Sequence, residues 1–509
     1  MSRPLRWLRA LPGAEASREA DRHAIEDLHI ASLDLMERAS EGLAALVGEV
    51  APDGVVAVAC GGGNNGGDGY AAARLLRAAW REVRVLAAVP VERLGGDARV
   101  QVDRLPGEPP RPFTPEGLDG ATVIVDALLG TGFSGVPRGA VGDAIAAIEA
   151  AGIPVVATDV PSGVDASTGE VAGAAVRAVA TATFHAPKPG LCINPGKARS
   201  GRVRVIDIGI PARAAAEAVG PGAIGLIDDD LLLALLPARA VGWTKFTSGH
   251  VLVAGGSRGL TGAVVLASEA AMRAGAGYVS ACVPGSQQAV VAAHLVEVMQ
   301  LALVEEDGGH SPDGVAAVLE EAARRGGALV LGPGLGRTAG AQAFARDLAA
   351  GAQLPLLLDA DGLNAHAGHL EALAGRGAPT VLTPHAGELG RLLGVPSADV
   401  EARRLEHVRR AAQVSGAVVV LKGDDTLVAR PDGTVAVSPG ATPALATAGT
   451  GDVLSGVTGA LLARGIEPFT AACAAVRLHA RAGVRAAAEV GADGVIARDV
   501  IAALPGARP

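Results

Sequence analysis

Apolar positions return along the chain with two different spacings. Between residues 16 and 47, Ala20, Ile25, Leu28, Leu33, Leu35, Met36, Ala39, Leu43 and Val47 recur near helical spacing with charged residues between them, which predicts an amphipathic helical lead-in. Elsewhere the apolar residues form short unbroken runs: residues 54–60 (GVVAVAC), 121–128 (ATVIVDAL) and 153–159, then 328–331, 354–359 and 417–421. Each run stops at a loop rich in Gly, Asp or Asn, and Ala-rich helical stretches alternate with the runs, as in a buried parallel sheet. Residues 250–279 restart the pattern with strand, glycine loop and helix. There Thr261 is placed as the helix N-cap, and Gly275 and Gly277 punctuate the helix end. Residues 211–230 (PARAAAEAVGPGAIGLIDDD) read as a short helix, a Gly-Pro-Gly break and an acidic turn. The junction falls near residue 225, giving expected domains of 1–225 and 226–509 that are not close copies of each other.

Composition narrows the class. A chain of 509 residues exceeds one ordinary domain, and about 150 residues per domain allows roughly three at most. With 70 glycines, 31 prolines and 2% aromatic residues, the core must be built from Ala, Val and Leu, which suits parallel sheets under Ala-rich helices. The formal charge of −9 and the lack of a Lys/Arg run exclude a basic nucleic-acid surface, so small molecules are the expected partners. Cys60, Cys192, Cys282 and Cys473 form no paired motif and read as small core residues rather than a disulfide framework or zinc site. No run reaches the ~20 apolar residues of a membrane span and the basic N-terminus lacks an apolar signal core, so the expected location is cytoplasmic.

The loops carry the chemistry. GGGNNGGDGY (61–70) follows the first strand and precedes a helix expected over residues 71–80. Asn64, Asn65 and Asp68 bring polar oxygens to a place where glycines admit a ligand to the backbone. Asp126 ends the second run before GTGFSGVPRG (130–139), and Asp159 ends the third before Ser162. In an open α/β sheet the ligand lies outside the carboxyl ends of the strands, so these loops share one edge. Each aspartate alone reads equally as a strand-end cap. Together, Asn65, Asp126, Asp159 and Ser162 are an oxygen-rich set suited to a hard cation. Lys188 lies between two prolines, where it would face a phosphate or stand solvated in a loop.

In the order LMERA, GGGNNGGDGY, VDALLGTGFSGVPRG, DVPSGVD and FHAPKPGL, about two hundred residues resemble the NAD(P)H-hydrate epimerase domain. The resemblance implies a Rossmann-like fold, a hydrated nicotinamide dinucleotide as ligand, and K⁺ held by Asn65, Asp126 and Ser162. It places substrate contacts on Asn64, Asn65, Gly66, Gly67 and Asp68, on Gly130, Thr131, Gly132, Phe133, Ser134, Gly135 and Val136, and on Asp159. Asp159 and Lys188 are the candidates for proton handling or charge stabilisation at the ring, Asp159 being preferred.

In the second half the organising stretch is TAGTGDVLSG (447–456), a glycine-rich turn opening a helix that ends near Arg464. Backbone N–H groups and the positive helix end converge there on an anion, and Asp452 adds a carboxylate able to take a proton from a hydroxyl. As an isolated string it reads equally as a helix N-cap by Asp452. Four more polar loops, 332–337 (GPGLGR), 359–364 (DADGLN), 383–388 (TPHAGE) and 421–428 (LKGDDTLV), are expected on the same edge.

These blocks, from residue 250 to about 482, resemble the ADP/ATP-dependent NAD(P)H-hydrate dehydratase domain, a relative of ribokinase-like kinases. The fold expected for the whole chain is α/β, two three-layer αβα domains, the first Rossmann-like and the second ribokinase-like. The resemblance implies that Ala263, Gly334, Gly336, His385 and Asp452 face the hydrate, and that Lys422, Gly423, Asp424, Asp425, Thr426 and Gly451 face the adenine nucleotide. Asp424 and Asp425 depart from the family's Lys-Gly-Ala-Gly-Thr pattern, and two acids beside a polyphosphate repel it unless they point away or hold Mg²⁺.

The expected reaction is repair of hydrated NADH or NADPH with ADP as co-substrate and Mg²⁺ alongside, in a homo-oligomer. Asp452 takes the proton of the ring hydroxyl, phosphoryl transfer makes phosphate the leaving group, and the ring nitrogen expels it. Two alternatives are a vitamin-precursor kinase in the second half and a non-catalytic scaffold in the first.

Overall fold

A computed structural model describes residues 5–211, 221–238 and 240–508. It divides into two compact units, one spanning Ala10–Val219 and the other Gly220–Pro509 together with the residues up to Arg9. The expectation that the whole N-terminus belongs to the first domain therefore changes. Strand β1 (Leu8–Ala10) lies at the edge of the second unit's sheet beside β9 (Ile224–Ile227). Trp7 is buried and its ring stands 5.7 Å from Phe469, while Arg9 Nε donates to Asp228 at 2.8 Å. These contacts hold the first residues to the second unit.

In the first unit the lead-in forms two helices, Ala14–Glu26 and Ser32–Val50. The sheet comprises β2 (Val56–Cys60), β3 (Val83–Ala87), β4 (Arg111–Pro112), β5 (Val123–Ala127), β6 (Val155–Thr158), β7 (Ala180–Phe184) and β8 (Arg202–Ile206), in the order β4-β3-β2-β5-β6-β7-β8. Every pairing is parallel. Along β2, Val56, Val58 and Cys60 join one core with Leu43, Leu46 and Tyr70, while Ala57 and Ala59 join another with Ile124, Ile145 and Ile148. Alternate residues thus feed helices on both faces, the three-layer arrangement. The strand order reverses between β2 and β5, and ligands bind at such a switch.

The glycine-rich stretch is not a loop for most of its length. The helix expected over 71–80 starts earlier and spans Asn64–Ala78. Its glycines permit close packing: a Cβ would stand 2.1 Å from Gly61 O at Gly66, 2.7 Å from Met36 Cε at Gly67 and 2.5 Å from Ala127 Cβ at Gly69.

In the second unit, β10 (His250–Ala254), β11 (Tyr278–Pro284), β12 (Met299–Leu303), β15 (Ala328–Leu331), β16 (Leu356–Leu358), β17 (Thr380–Leu382), β18 (Val418–Leu421), β19 (Leu427–Ala429) and β20 (Val435–Val437) extend the sheet. Its order is β1-β9-β20-β19-β18-β17-β16-β15-β10-β11-β12. A separate hairpin pairs β13 (Glu305–Glu306) with β14 (Gly309–His310). From β12 to β18 all pairs are parallel; β19 runs antiparallel to both β18 and β20, and β20 pairs in parallel with β9. The switch falls between β10 and β15. Thr261 is the first residue of helix Thr261–Arg273 rather than its cap, and Leu260 takes the cap position without a side-chain bond.

Helix Thr450–Ala463 lies against helix Thr261–Arg273 so closely that a Cβ at Gly456 would stand 2.1 Å from Ala267 O. A backbone oxygen has nowhere to go, so Gly456→Ala is expected to destabilise the second unit by roughly 1–3 kcal/mol, read as a lower Tm. Wild-type Tm in the variant would remove the close-packing account. Among the described residues no helix is long and apolar enough to cross a membrane.

Candidate functional sites

The first unit has a cavity of about 640 Å³ at the switch of its sheet, within the range of small-molecule sites. Asn64, Asn65 and Asp68 reach it from the helix after β2, Gly130 to Phe133 from the loop after β5, Asp159 from the end of β6, and Lys188 from the loop after β7. Gly66 and Gly67 do not line it and instead serve packing. Ser134, Gly135 and Val136 also lie outside the lining, and Val136 is half exposed.

Asp159 sits just past β6 with φ at 64°, a left-handed conformation costly for a non-glycine residue. Its carboxylate oxygen Oδ1 accepts from Lys188 Nζ at 2.5 Å and Thr183 Oγ1 at 3.3 Å. Oδ2 accepts from the Thr131 hydroxyl and from Thr131 N. Lys188 Nζ also donates to Thr183 Oγ1 and Phe184 O, each at 2.9 Å, so all three of its protons are committed. Lysine 188 is therefore neither solvated nor presented to a phosphate, as its loop context led one to expect; it is buried against Asp159. Burial alone would raise the Asp159 pKa, but the Lys188 charge and the hydrogen bonds hold it below the usual carboxylate value.

Asp126 is fully buried; its Oδ1 accepts from Ser162 Oγ at 2.6 Å and its Oδ2 from Ser162 N at 2.8 Å. Burial, opposed by the Ser162 bonds, pushes this carboxyl up to about 6. Ser162 Oγ meets Leu129 O at 3.2 Å, and Gly130, the next residue, backs onto Asn65, whose Oδ1 would lie 2.9 Å from a Cβ there. Among the described residues neither Asn65 amide atom, both of them buried, has a hydrogen-bond partner. An orphaned amide oxygen near a carboxylate, a hydroxyl and a carbonyl is a donor set that fits a hard monovalent cation. Among the described residues no three His, Cys, Asp or Glu are grouped to hold a metal.

In the second unit the polar loops follow β10, β15, β16, β17 and β18, and the Gly449–Asp452 turn adjoins them. Gly449 has φ at 87° and occupies the cap position, so Asp452 is in the first turn of the helix and is not its N-cap. Thr450 Oγ1 donates to Leu445 O and Thr447 O, each at 2.9 Å, fastening the turn. A Cβ at Gly451 would stand 3.7 Å from Lys422 Nζ and 3.9 Å from Asp359 Oδ2.

Asp359, at the end of β16, is buried and accepts from Lys422 Nζ at 2.9 Å and from Ser455 Oγ at 2.7 Å. Glu388 Oε2 lies 3.7 Å from the same ammonium and accepts from His385 N at 2.9 Å, closing a capping box. Burial and then the Asp359 charge, offset by Lys422, push Asp452 up to about 7. Burial would lower Lys422, yet Asp359, Glu388 and Asp452 together raise it. Hence one firmly charged lysine stands among carboxylates, one of which is poised near neutrality. Asp359, Glu388 and Ser455 were not singled out from sequence, although the loops holding them were; an aspartate directly after an apolar run was the available signal.

Gly334 meets Ala263, with 3.2 Å between their β-carbon positions, and Gly336 N donates to Asp361 at 3.2 Å. His385 has a half-exposed side chain that accepts from Gly387 N at 3.0 Å. On the 422–426 loop Asp425 points away from solvent, accepting from the buried Arg404 Nε at 3.0 Å, and Asp424 is exposed. Of the two acids that interrupt this loop, one is thus neutralised internally. Thr426 Oγ1 donates to Gly423 O at 2.6 Å and shapes the remainder.

Two family models match the chain: one described as YjeF-related protein N-terminus, over residues 32–190, and one described as NAD(P)H-hydrate dehydratase, over residues 251–506. The chain is 40% identical over 518 residues to the bifunctional NAD(P)H-hydrate repair enzyme Nnr of Salinibacter ruber, covering 97% of this chain and 95% of that one. It is 38% identical to the protein of the same name from Moorella thermoacetica, with 96% and 94% covered. A crystal structure of ADP/ATP-dependent NAD(P)H-hydrate dehydratase from Bacillus subtilis, co-crystallised with ATP and Mg²⁺, aligns at 30% identity and a TM-score of 0.46. That alignment covers 55% of this chain and 95% of that one.

Proposed function

The chain belongs to the bifunctional NAD(P)H-hydrate repair enzymes, which join an epimerase to a dehydratase, and from that premise we propose how its two units share the work. The first unit interconverts the R and S hydrates of NADH and NADPH; the second dehydrates the S hydrate at the expense of ADP. The residues assigned to each extend over about 10–219 and over 220–509 with the first nine residues.

The observation that carries the second assignment is Asp452, a carboxyl near neutrality on the first turn of a 14-residue helix, beside the Lys422 ammonium. Asp452 takes the hydroxyl proton of the hydrate while the Gly449–Asp452 N–H groups and Lys422 hold the transferring phosphoryl group. Gly334, Gly336, Ala263 and His385 hold the hydrate, and Gly423, Thr426 and Gly451 hold the nucleotide, which the exposed Asp424 meets only through Mg²⁺. Asp359 and Glu388 are committed to Lys422, so Mg²⁺ would be held chiefly by the nucleotide's phosphate oxygens.

In the first unit, Asn64, Asn65, Asp68, Gly130–Phe133, Asp159 and Lys188 receive the hydrated ring and its dinucleotide. Asn65, Asp126 and Ser162 would hold K⁺, which supplies a fixed positive charge beside the substrate loops. With Asp126→Ala, stimulation of epimerisation by K⁺ over Na⁺ is expected to vanish, together with any K⁺-dependent rise in Tm; persistence of both would remove these residues from a cation site.

The whole reading is tested by giving the protein mixed hydrate epimers with ADP, with ATP and with neither, and following the return of reduced-nicotinamide absorbance. Complete recovery of both epimers with ADP is expected. Recovery that stops at one epimer would leave the first unit without its activity, and net phosphorylation of an alcohol without dehydration would make the second unit a kinase.

A further inference from the structure

Two carboxyl groups share the first unit's cavity in opposite electrostatic settings. Asp159 has every oxygen satisfied and an ammonium against it. Asp68, one turn into helix Asn64–Ala78, is only 8% exposed and lines the same cavity. Among the described residues none donates to its carboxyl oxygens, and Lys188 has no proton left to offer. The Asp68 carboxyl opens on the cavity but receives no donor from the protein, and a largely buried carboxyl so placed favours its protonated form.

Other charges on the cavity reinforce this. Burial first, then the like charges of Asp159 and Asp21, raise the Asp68 carboxyl well above its usual range, against a smaller opposing effect of Lys188. Asp21 is itself raised, by burial first, and His185 is lowered, by burial first and then by the Lys188 charge. Arg18 and Asp97 complete the titratable lining, Arg18 on the exposed side. Two carboxyl groups driven apart in one site mark an acid and a base.

Resting on the epimerase reading of this unit, we propose that Asp68 is the general acid that protonates the departing ring hydroxyl. The C–O bond breaks with its electron pair on oxygen, and the Asp68 proton completes a water molecule. The ring nitrogen's lone pair closes the carbon–nitrogen double bond, and the resulting cation faces the Asp159 carboxylate. Water then adds to the opposite face of the ring, forming the new C–O bond; the proton it loses passes to the water of the open cavity, from which Asp68 is reprotonated. Nothing is oxidised or reduced.

The test uses the full chain with ADP, where the S hydrate disappears first and the R hydrate follows at the rate of epimerisation. With Asp68→Asn, the first phase is expected to be unchanged and the second to lose about 10²-fold or more in kcat above the uncatalysed background, with KM for the R hydrate little altered. In the wild type the second phase falls as pH rises through the Asp68 pKa, and the residual Asp68→Asn rate lacks that fall. In H₂¹⁸O each epimerisation puts label on the ring hydroxyl. An unchanged kcat, a loss confined to KM, the same pH profile in both proteins, or epimerisation without label would each overturn the proposal. A wild-type protein that leaves the R hydrate untouched would instead overturn the epimerase reading beneath it.

Discussion

Asp452→Asn is expected to lose about 10³-fold or more of hydrate dehydration while keeping the fold and the epimerase activity. Asparagine has the same shape but cannot accept the hydroxyl proton, and removing a positioned base costs about 10²–10⁴ in rate. The Gly449–Asp452 turn does not depend on the carboxylate, because Thr450 and the αL glycine build it. The pH dependence follows from the raised carboxyl: a base works deprotonated, so wild-type dehydration rises with pH and levels off above about 7. Stability runs the other way. A carboxyl whose folded pKa lies above its unfolded value destabilises the fold once pH exceeds the unfolded value, and the penalty grows until the folded pKa is passed. Asp452→Asn should therefore match or exceed the wild-type Tm at pH 8. Full activity in the variant, or a flat wild-type profile between pH 6 and 8, would deny Asp452 its role.

Much of this was legible in the chain itself. The six unbroken apolar runs placed β2, β5, β6, β15, β16 and β18 within about two residues, and 328–331 matches β15 as expected, because a strand buried on both faces cannot hide polar residues. The first strand, Leu8–Ala10, was not legible: three residues carry no period, and their partner lies more than two hundred positions away. The early start of helix Asn64–Ala78 was missed because glycine and asparagine are poor helix formers; close packing of Gly66, Gly67 and Gly69 overrides that preference. Asp425 read as a charge beside phosphate, and only its tertiary partner Arg404, some twenty positions earlier, turns it inward. Sequence spacing marks which loops carry chemistry. It does not say which carboxylate ends against a lysine, and that pairing decides the pKa values on which both sites depend.

Lys188→Met is the substitution in which this pairing should show most plainly in stability. Methionine keeps the apolar stem and deletes the ammonium that Asp159, Thr183 Oγ1 and Phe184 O all bind. Removing one member of a buried ion pair costs about 3–5 kcal/mol, because the other charge is left without compensation. With two units, unfolding is not a single two-state step, so the expected result is loss confined to the transition of the first unit. Asp159 has a folded pKa below its unfolded value of 3.8, so its stabilising contribution is present above pH ~4 and is lost as pH falls through the folded pKa. In the variant, burial without the lysine pushes the same carboxyl upward. The gap between wild type and Lys188→Met should therefore be wide at pH 7 and narrow as acid protonates Asp159. Adding Asp159→Asn should restore much of the lost stability at pH 7 without restoring epimerisation, since the charge penalty goes but the anion that faces the ring cation goes with it. A gap of equal size at pH 4 and pH 7, or no rescue by the second substitution, would mean that Lys188 holds the loop after β7 through packing rather than through charge.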